Sequence, residues 1–275
     1  MTTTGAGPAA PGADQPPPTA AQVRAVRIGG REVPLVRFAG PPPDVATVAA
    51  ALADAGLEVG RRPVVVLVGG ANGLEMDDPA AWRALFRDGL VAGVVRAGAC
   101  LVDGGTDAGV LALAGRARAA AAADYPAVGV AAEGTIRWPE RVPLIDDAAE
   151  FGPQHTHLVA VPGQAWGTEP PWISLVATAL AGTSPSLTVV INGGPITLDD
   201  ITHSLAAGRR VLVVAGTGRL ADALAAARRA PAAAAPAERA LTASTLLDVV
   251  NGIDHPDLLA DAIATTLSQP RPPAA

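Results

Sequence analysis

Chemistry in this chain is concentrated where apolar runs end in glycine. The stretch VVINGGPITLDDI (189–201) passes through Asn192, Gly193 and Gly194 into a helical pattern carrying Thr197, Asp199 and Asp200. Three other runs end alike, at Gly69-Gly70, Gly104-Gly105 and Gly216-Thr217-Gly218. Glycine lets a backbone turn sharply and come close to a ligand. The helix that follows aims its unpaired N–H groups and the positive end of its dipole at the same place. Such a junction offers anion binding, phosphate above all. GTGR adds a hydroxyl at Thr217 and a planar cation suited to phosphate at Arg219. A single Gly-Gly is what any tight strand-to-helix turn needs, and Arg219 could equally serve a surface ion pair. Four such junctions on one edge are harder to read as packing alone. The 189–201 stretch stays open among a plain turn, a phosphate cradle and a relict catalytic site. Asp199 and Asp200 also suit a first helical turn, where acids complement the dipole.

These junctions imply the elements that must hold them. Apolar runs at 63–70, 99–105, 125–132, 155–163, 186–194 and 209–218 alternate with helical patterns at 78–98, 107–122, 170–182, 197–208 and 219–230. Asp78 is placed as an N-cap with Pro79 at the first helical position. Strands apolar on both faces, alternating with helices, define an α/β fold: a doubly wound parallel sheet with helices on both faces. The domain spans about 30–230, and REVPLVRF with a helix at 44–56 starts it. Residues 1–22 are Pro, Gly, Ala and Thr rich and read as a disordered tail. An Ala/Pro linker (231–240), a short helical tail (241–268) and a second disordered tail (269–275) follow.

The bulk numbers exclude several classes. The 275 residues are 49% hydrophobic but only 3% aromatic, so the core is built from Val, Leu, Ile and Ala. A net charge of −6 argues against nucleic acid as a partner. All basic residues are arginine, which fits codon bias in a GC-rich bacterial genome. Cys100 is the sole cysteine, set among apolar neighbours, and reads as a buried structural thiol in a reducing cytoplasm. No secretory signal and no apolar run near the ~20 residues of a membrane helix is visible. G-x-G-x-x-G spacing and a P-loop are absent. His155 and His157 alternate onto one strand face. With no cysteine beside them they read as loop supports or ligand contacts rather than a metal site.

Five segments in fixed order carry a resemblance: LVDGGTDAGVLALAG (101–115), GPQHTHLVAVPG (152–163), WGTE (166–169), NGGPITL (192–198) and VVAGTGRLADALA (213–225). Together they resemble the SLOG superfamily, in particular the TRPM cation channels' N-terminal region and its free-standing prokaryotic relatives. The likeness spans about residues 60–230. It implies a Rossmann-like fold, a nucleotide-type ligand such as ADP-ribose or another NAD-derived molecule, and oligomers, so that a homodimer is expected. By the resemblance, Gly104, Gly105, Thr106 and Gly109 contact phosphate or ribose, Trp166 stacks on adenine with Glu169 beside it, and Arg219 contacts phosphate. Gly69, Gly70, Gly193, Gly194, Thr197, Gly216, Thr217 and Gly218 complete the expected ligand edge, with His155, His157 and Asn192 in support. Some channels place a second arginine where this chain has Ile173, which departs from the ADP-ribose pattern.

The hydrolase branch of the superfamily, the LOG phosphoribohydrolases, carries P-G-G-x-G-T-x-x-E and cleaves an N-glycosidic bond. Here Asn192, Ile196 and Asp200 replace the proline, the third glycine and the glutamate. An acid shorter by one C–C bond is poorly placed, since a shift on the order of 1 Å can cost about 100-fold in rate. A ligand-binding module is therefore expected, with no catalytic residues. A LOG-like nucleoside 5′-monophosphate phosphoribohydrolase using Asp200 and Asp199 is the alternative, and a purely structural interaction domain the second. A Mg2+ bridge from these carboxylates to phosphate would need a second acidic motif, which the sequence does not display, so no cofactor is expected. No fused effector is visible, so output would need a partner chain or self-assembly.

Overall fold

The computed structural model describes residues 21–70, 77–137 and 145–270. Of the tails expected at 1–22 and 269–275, residues 1–20 and 271–275 lie outside the described residues. In chain order the elements are β1 (Gln22–Ile28), β2 (Arg31–Arg37), α1 (Val45–Asp54), β3 (Val64–Gly69), α2 (Pro79–Ala84), a π-helical stretch (Leu85–Val91) and α3 (Ala92–Arg96). Then come β4 (Cys100–Asp103), α4 (Gly109–Ala120), β5 (Ala127–Ala132), the short pair β6 (Ile136–Arg137) and β7 (Ala149–Glu150), and β8 (His157–Val161). The chain continues through α5 (Pro170–Ala181), β9 (Ser186–Ile191), α6 (Pro195–Ala206), β10 (Arg210–Val214), α7 (Arg219–Arg229), α8 (Pro236–Thr242), β11 (Leu247–Val250) and α9 (Pro256–Ser268).

Nine strands form one sheet in the order β1-β2-β8-β5-β4-β3-β9-β10-β11. Every neighbouring pair is parallel except the β1–β2 hairpin. β3 shows why its sequence is apolar throughout. Val64, Val66 and Val68 enter one core, under α1, α5, α6 and α7, while Val65 and Leu67 enter the other, under α2–α3, α4 and α9. The fold is thus the expected Rossmann-like doubly wound α/β. With few aromatics, each core has one ring pair, Phe38–Trp172 at 5.2 Å and Trp82–Phe86 at 6.2 Å.

The winding reverses at β3. From it the chain builds outward through β4, β5 and β8 on one side and through β9, β10 and β11 on the other. The helices after β3 and β4 lie on one face, and those after β8, β9 and β10 on the other. The crevice between the carboxyl ends of β3 and β9 is the switch point where such sheets take ligands.

Four features differ from the sequence expectation. The N-terminal boundary moves outward, because β1 begins at Gln22 and pairs with β2 across Gly29 and Gly30, both at positive φ. The helix expected at 78–98 keeps its Asp78 cap, whose Oδ1 accepts from Ala80 N (2.8 Å) and Ala81 N (3.2 Å), but relaxes into a π stretch at its centre. The Ala/Pro linker at 231–240 is a 3-10 turn (Pro231–Ala233) followed by α8. The tail at 241–268 is not only helical, since β11 pairs in parallel with β10 and α9 seals the second core through Leu259, Ile263 and Leu267.

Candidate functional site

The junctions after β9 and β10 are one interlocked unit. Asn192, at φ 61 and 2% exposed, is the clasp. Its backbone N–H donates to Thr217 Oγ1 (2.8 Å), its Nδ2 to Thr217 O (2.7 Å), and its Oδ1 accepts from Gly193 N (2.8 Å). Asp222, one turn into α7, accepts from Gly216 N (2.6 Å) and Gly218 N (3.1 Å). Ala221 N donates back to Asn192 O at 3.0 Å. Thr197 Oγ1 accepts from Gly194 N at 3.3 Å. Several amides expected to face a ligand are therefore engaged within the protein.

The interlock places Arg219. Arg219 itself sits at φ 51, and its guanidinium lies against Gly194, where a Cβ would stand 2.7 Å from Nη2. Gly194 is the N-cap of α6, so a permanent cation rests at the positive end of a helix. A guanidinium and a helix amino end each favour an anion, and here they share one corner.

Across the switch point, glycines serve packing first. A Cβ on Gly69 would strike the Ile191 carbonyl of β9. Gly70 O accepts from Val110 N (3.1 Å) in the first turn of α4. Gly105, at φ 73, runs so close to β5 that a Cβ would lie 3.1 Å from Gly129 C. Gly109 opens α4 at φ 50, and a Cβ on Gly104 would stand 3.2 Å from Leu111 Cδ1. Thr106 is buried and bridges to Phe151.

The two expected histidines turn to different neighbours. His155 is buried between Asp103 Oδ1 (2.9 Å from Nε2) and Gly152 O (2.9 Å from Nδ1). Asp103 Oδ1 also accepts from Gly105 N (2.7 Å). Both ring nitrogens face acceptors, an arrangement that a doubly protonated imidazolium satisfies fully. Burial disfavours that charge, but the Asp103 carboxylate and the hydrogen bonds of Asp103 and Gly152 outweigh it and raise His155 above its ordinary value. His157, at the start of β8, meets Thr156 Oγ1 (2.9 Å) and the backbone of Ala55, and burial lowers its pKa. Burial likewise pushes the Cys100 thiol up to about 11, away from nucleophilic use.

The WGTE segment lies over the start of α6, with a Cβ on Gly167 falling 3.5 Å from Ile196 Cγ1. Trp166 is half-buried and donates to Asp147 Oδ2 (3.1 Å). Glu169 is buried, accepts from Gly167 N (3.1 Å), and is pushed upward in pKa by that burial. Asp200 is buried nearby and held well above its ordinary value, first by desolvation, then by the charges of Glu169 and Asp199. Asp199 is exposed. Sequence reasoning singled out both buried acids but missed their pairing, which no local spacing encodes. It also missed Asp103 and Asp222, although an acid immediately before Gly-Gly, and another four residues after a capping glycine, are signals for such turns.

A family model described as SLOG in TRPM, prokaryote, matches residues 62–260. The chain belongs to this SLOG family of TRPM-type domains. Among curated proteins it is similar to transient receptor potential cation channel subfamily M member 2 of Rattus norvegicus, 28% identical over 198 residues. That match covers 59% of this chain and 13% of the channel. Among the described residues no helix is long and apolar enough to cross a membrane.

Proposed function

We propose that this chain is a nucleotide-binding module that takes an ADP-ribose-like or other NAD-derived ligand at the carboxyl edge of the sheet and does not turn it over. The observation that carries this reading is Arg219, packed on Gly194 at the amino end of α6, beside the β3/β9 switch point. In this reading Gly193, Gly194 and Thr197, of the same junction, meet the ligand with Gly69 and Gly70 at the end of β3, and Trp166 and Glu169 close the site from the segment that packs on Ile196. Partner-dependent output, a homodimer and a cytoplasmic setting belong to the same proposal.

Thermal melting with ADP-ribose, cyclic ADP-ribose, AMP and NAD tests it. At least one nucleotide should raise the Tm, by an amount that grows with ligand concentration. Arg219→Ala should remove most of that rise while leaving the ligand-free Tm within a few degrees. A ligand response that survives Arg219→Ala, or no response to any of the four, overturns the reading.

The buried Glu169–Asp200 pair favours one rival, a nucleoside 5′-monophosphate phosphoribohydrolase, because a carboxyl with a raised pKa beside a second acid can serve as a general acid. Ribose 5-phosphate released from AMP, and lost in Asp200→Asn, would establish it.

A further inference from the structure

One buried carboxyl at this edge has no part in the binding site proposed for the nucleotide. Asp200 is 8% exposed, and its Oδ1 has no hydrogen-bond partner. A buried, ionised carboxylate cannot keep an oxygen without a donor at low cost, whereas a neutral acid needs only an acceptor for its O–H.

The charges around it point the same way. The start of α5 brings Glu169, itself 8% exposed, and α6 brings Asp199, both acidic. β3 and β9 carry no titratable side chain. α7 brings Arg219, which lies against Gly194, and Asp222, which is occupied by Gly216 and Gly218. β10 brings Arg210 at its far, amino end, α6 brings His203 a turn beyond Asp200, and the buried Arg209, after α6, turns to Ser174, Thr178 and Ser204. Among the described residues no three His, Cys, Asp or Glu side chains gather as a metal site.

Position supplies the acceptor. Helical side chains lean toward the helix amino end, so the Asp200 side chain covers the turn that contains Thr197. In the nucleotide-binding reading that turn meets the phosphoryl group.

Resting on the nucleotide-binding reading, we propose that Asp200 is a hydrogen-bond donor of the ligand site. Kept as the neutral carboxylic acid beside Glu169, it donates to an oxygen of the phosphoryl group held at the start of α6 by Arg219. A residue that would repel phosphate as a carboxylate thus recognises it as an acid. The same protonated-acid logic lets a buried Asp serve an oxyanion in ketosteroid isomerase.

ADP-ribose is the probe, because both acidic oxygens of its pyrophosphate diester are already ionised at mildly acidic pH and its charge stays constant through neutrality. Calorimetric affinity for the wild-type chain should be flat at low pH and then fall, by up to about tenfold per pH unit, once Asp200 ionises. Asp200→Asn keeps an N–H donor and should bind within a few-fold of wild type near neutral pH, with that fall abolished. Glu169→Gln removes a negative neighbour and should move the fall to lower pH. A pH-independent wild-type affinity, or the same fall persisting in Asp200→Asn, overturns the proposal. Carboxyl 13C NMR of the ligand-free protein is a second readout, and an Asp200 that titrates at or below the ordinary aspartate value overturns it without any ligand. If the wild type binds none of ADP-ribose, cyclic ADP-ribose, AMP and NAD at any pH, the nucleotide reading itself fails and takes this inference with it.

Discussion

Asn192 occupies the place where the hydrolase pattern has proline, and the structure gives a reason. A proline could supply neither the N–H that meets Thr217 Oγ1 nor the amide that bonds Thr217 O and Gly193 N. Asn192→Ala should therefore destabilise the protein by roughly 1–3 kcal/mol in urea denaturation, as buried polar partners lose their bonds. An unchanged midpoint would dissolve the clasp. His155 makes a pH-dependent contribution. Its folded pKa is raised, so the stability it adds is fully present below the unfolded value of about 6.5 and is lost as pH rises through the folded value. Urea midpoints across that range should fall with pH in the wild type and lose this component in His155→Gln. Several glycines expected to meet a ligand also meet neighbours that leave no room for a Cβ. What the sequence could not reveal is that Gly69 answers to the Ile191 carbonyl and Gly194 to Arg219, because those neighbours come from other segments.

Among the elements, the long β-branched runs were legible because a strand buried on both faces has no polar alternation to confuse it. β1 was missed because Arg24 and Arg27 interrupt an exposed strand. β11 was missed because four residues carry too little pattern. The helical run over residues 79–96 was legible, but its partner was not. Gly93 lets α9 come close, since a Cβ there would lie 2.8 Å from Ile263 Cδ1. Gly89 has the same role, with Pro256 O 3.1 Å from its would-be Cβ. Gly93→Val should cost about 1–3 kcal/mol or more by overpacking, read as a lowered Tm, even though valine fits the apolar composition of the helix. A neutral substitution would mean that α9 is not seated there.

For the whole molecule, the order of strands fixes where a ligand can sit, and that order follows from the direction of each crossover rather than from any motif. The same order makes the residues after 245 part of the sheet. Deleting 245–270 should bare Leu212, Val214 and the second core around Leu85 and Leu90, giving dye binding and aggregation rather than a smaller stable domain. A soluble, cooperatively melting product would show that the core closes without them. The α3–α9 contact has a consequence for synthesis. Arg96 and Asp261, joined at 2.6 Å, are 165 positions apart. At ribosomal rates of about 5–20 residues per second, the nascent chain waits on the order of ten seconds or more with one flank of its sheet uncovered. During that interval the half-made protein is a client for holding chaperones, and a translational pause before α9 would lower its yield more than an equal pause after it.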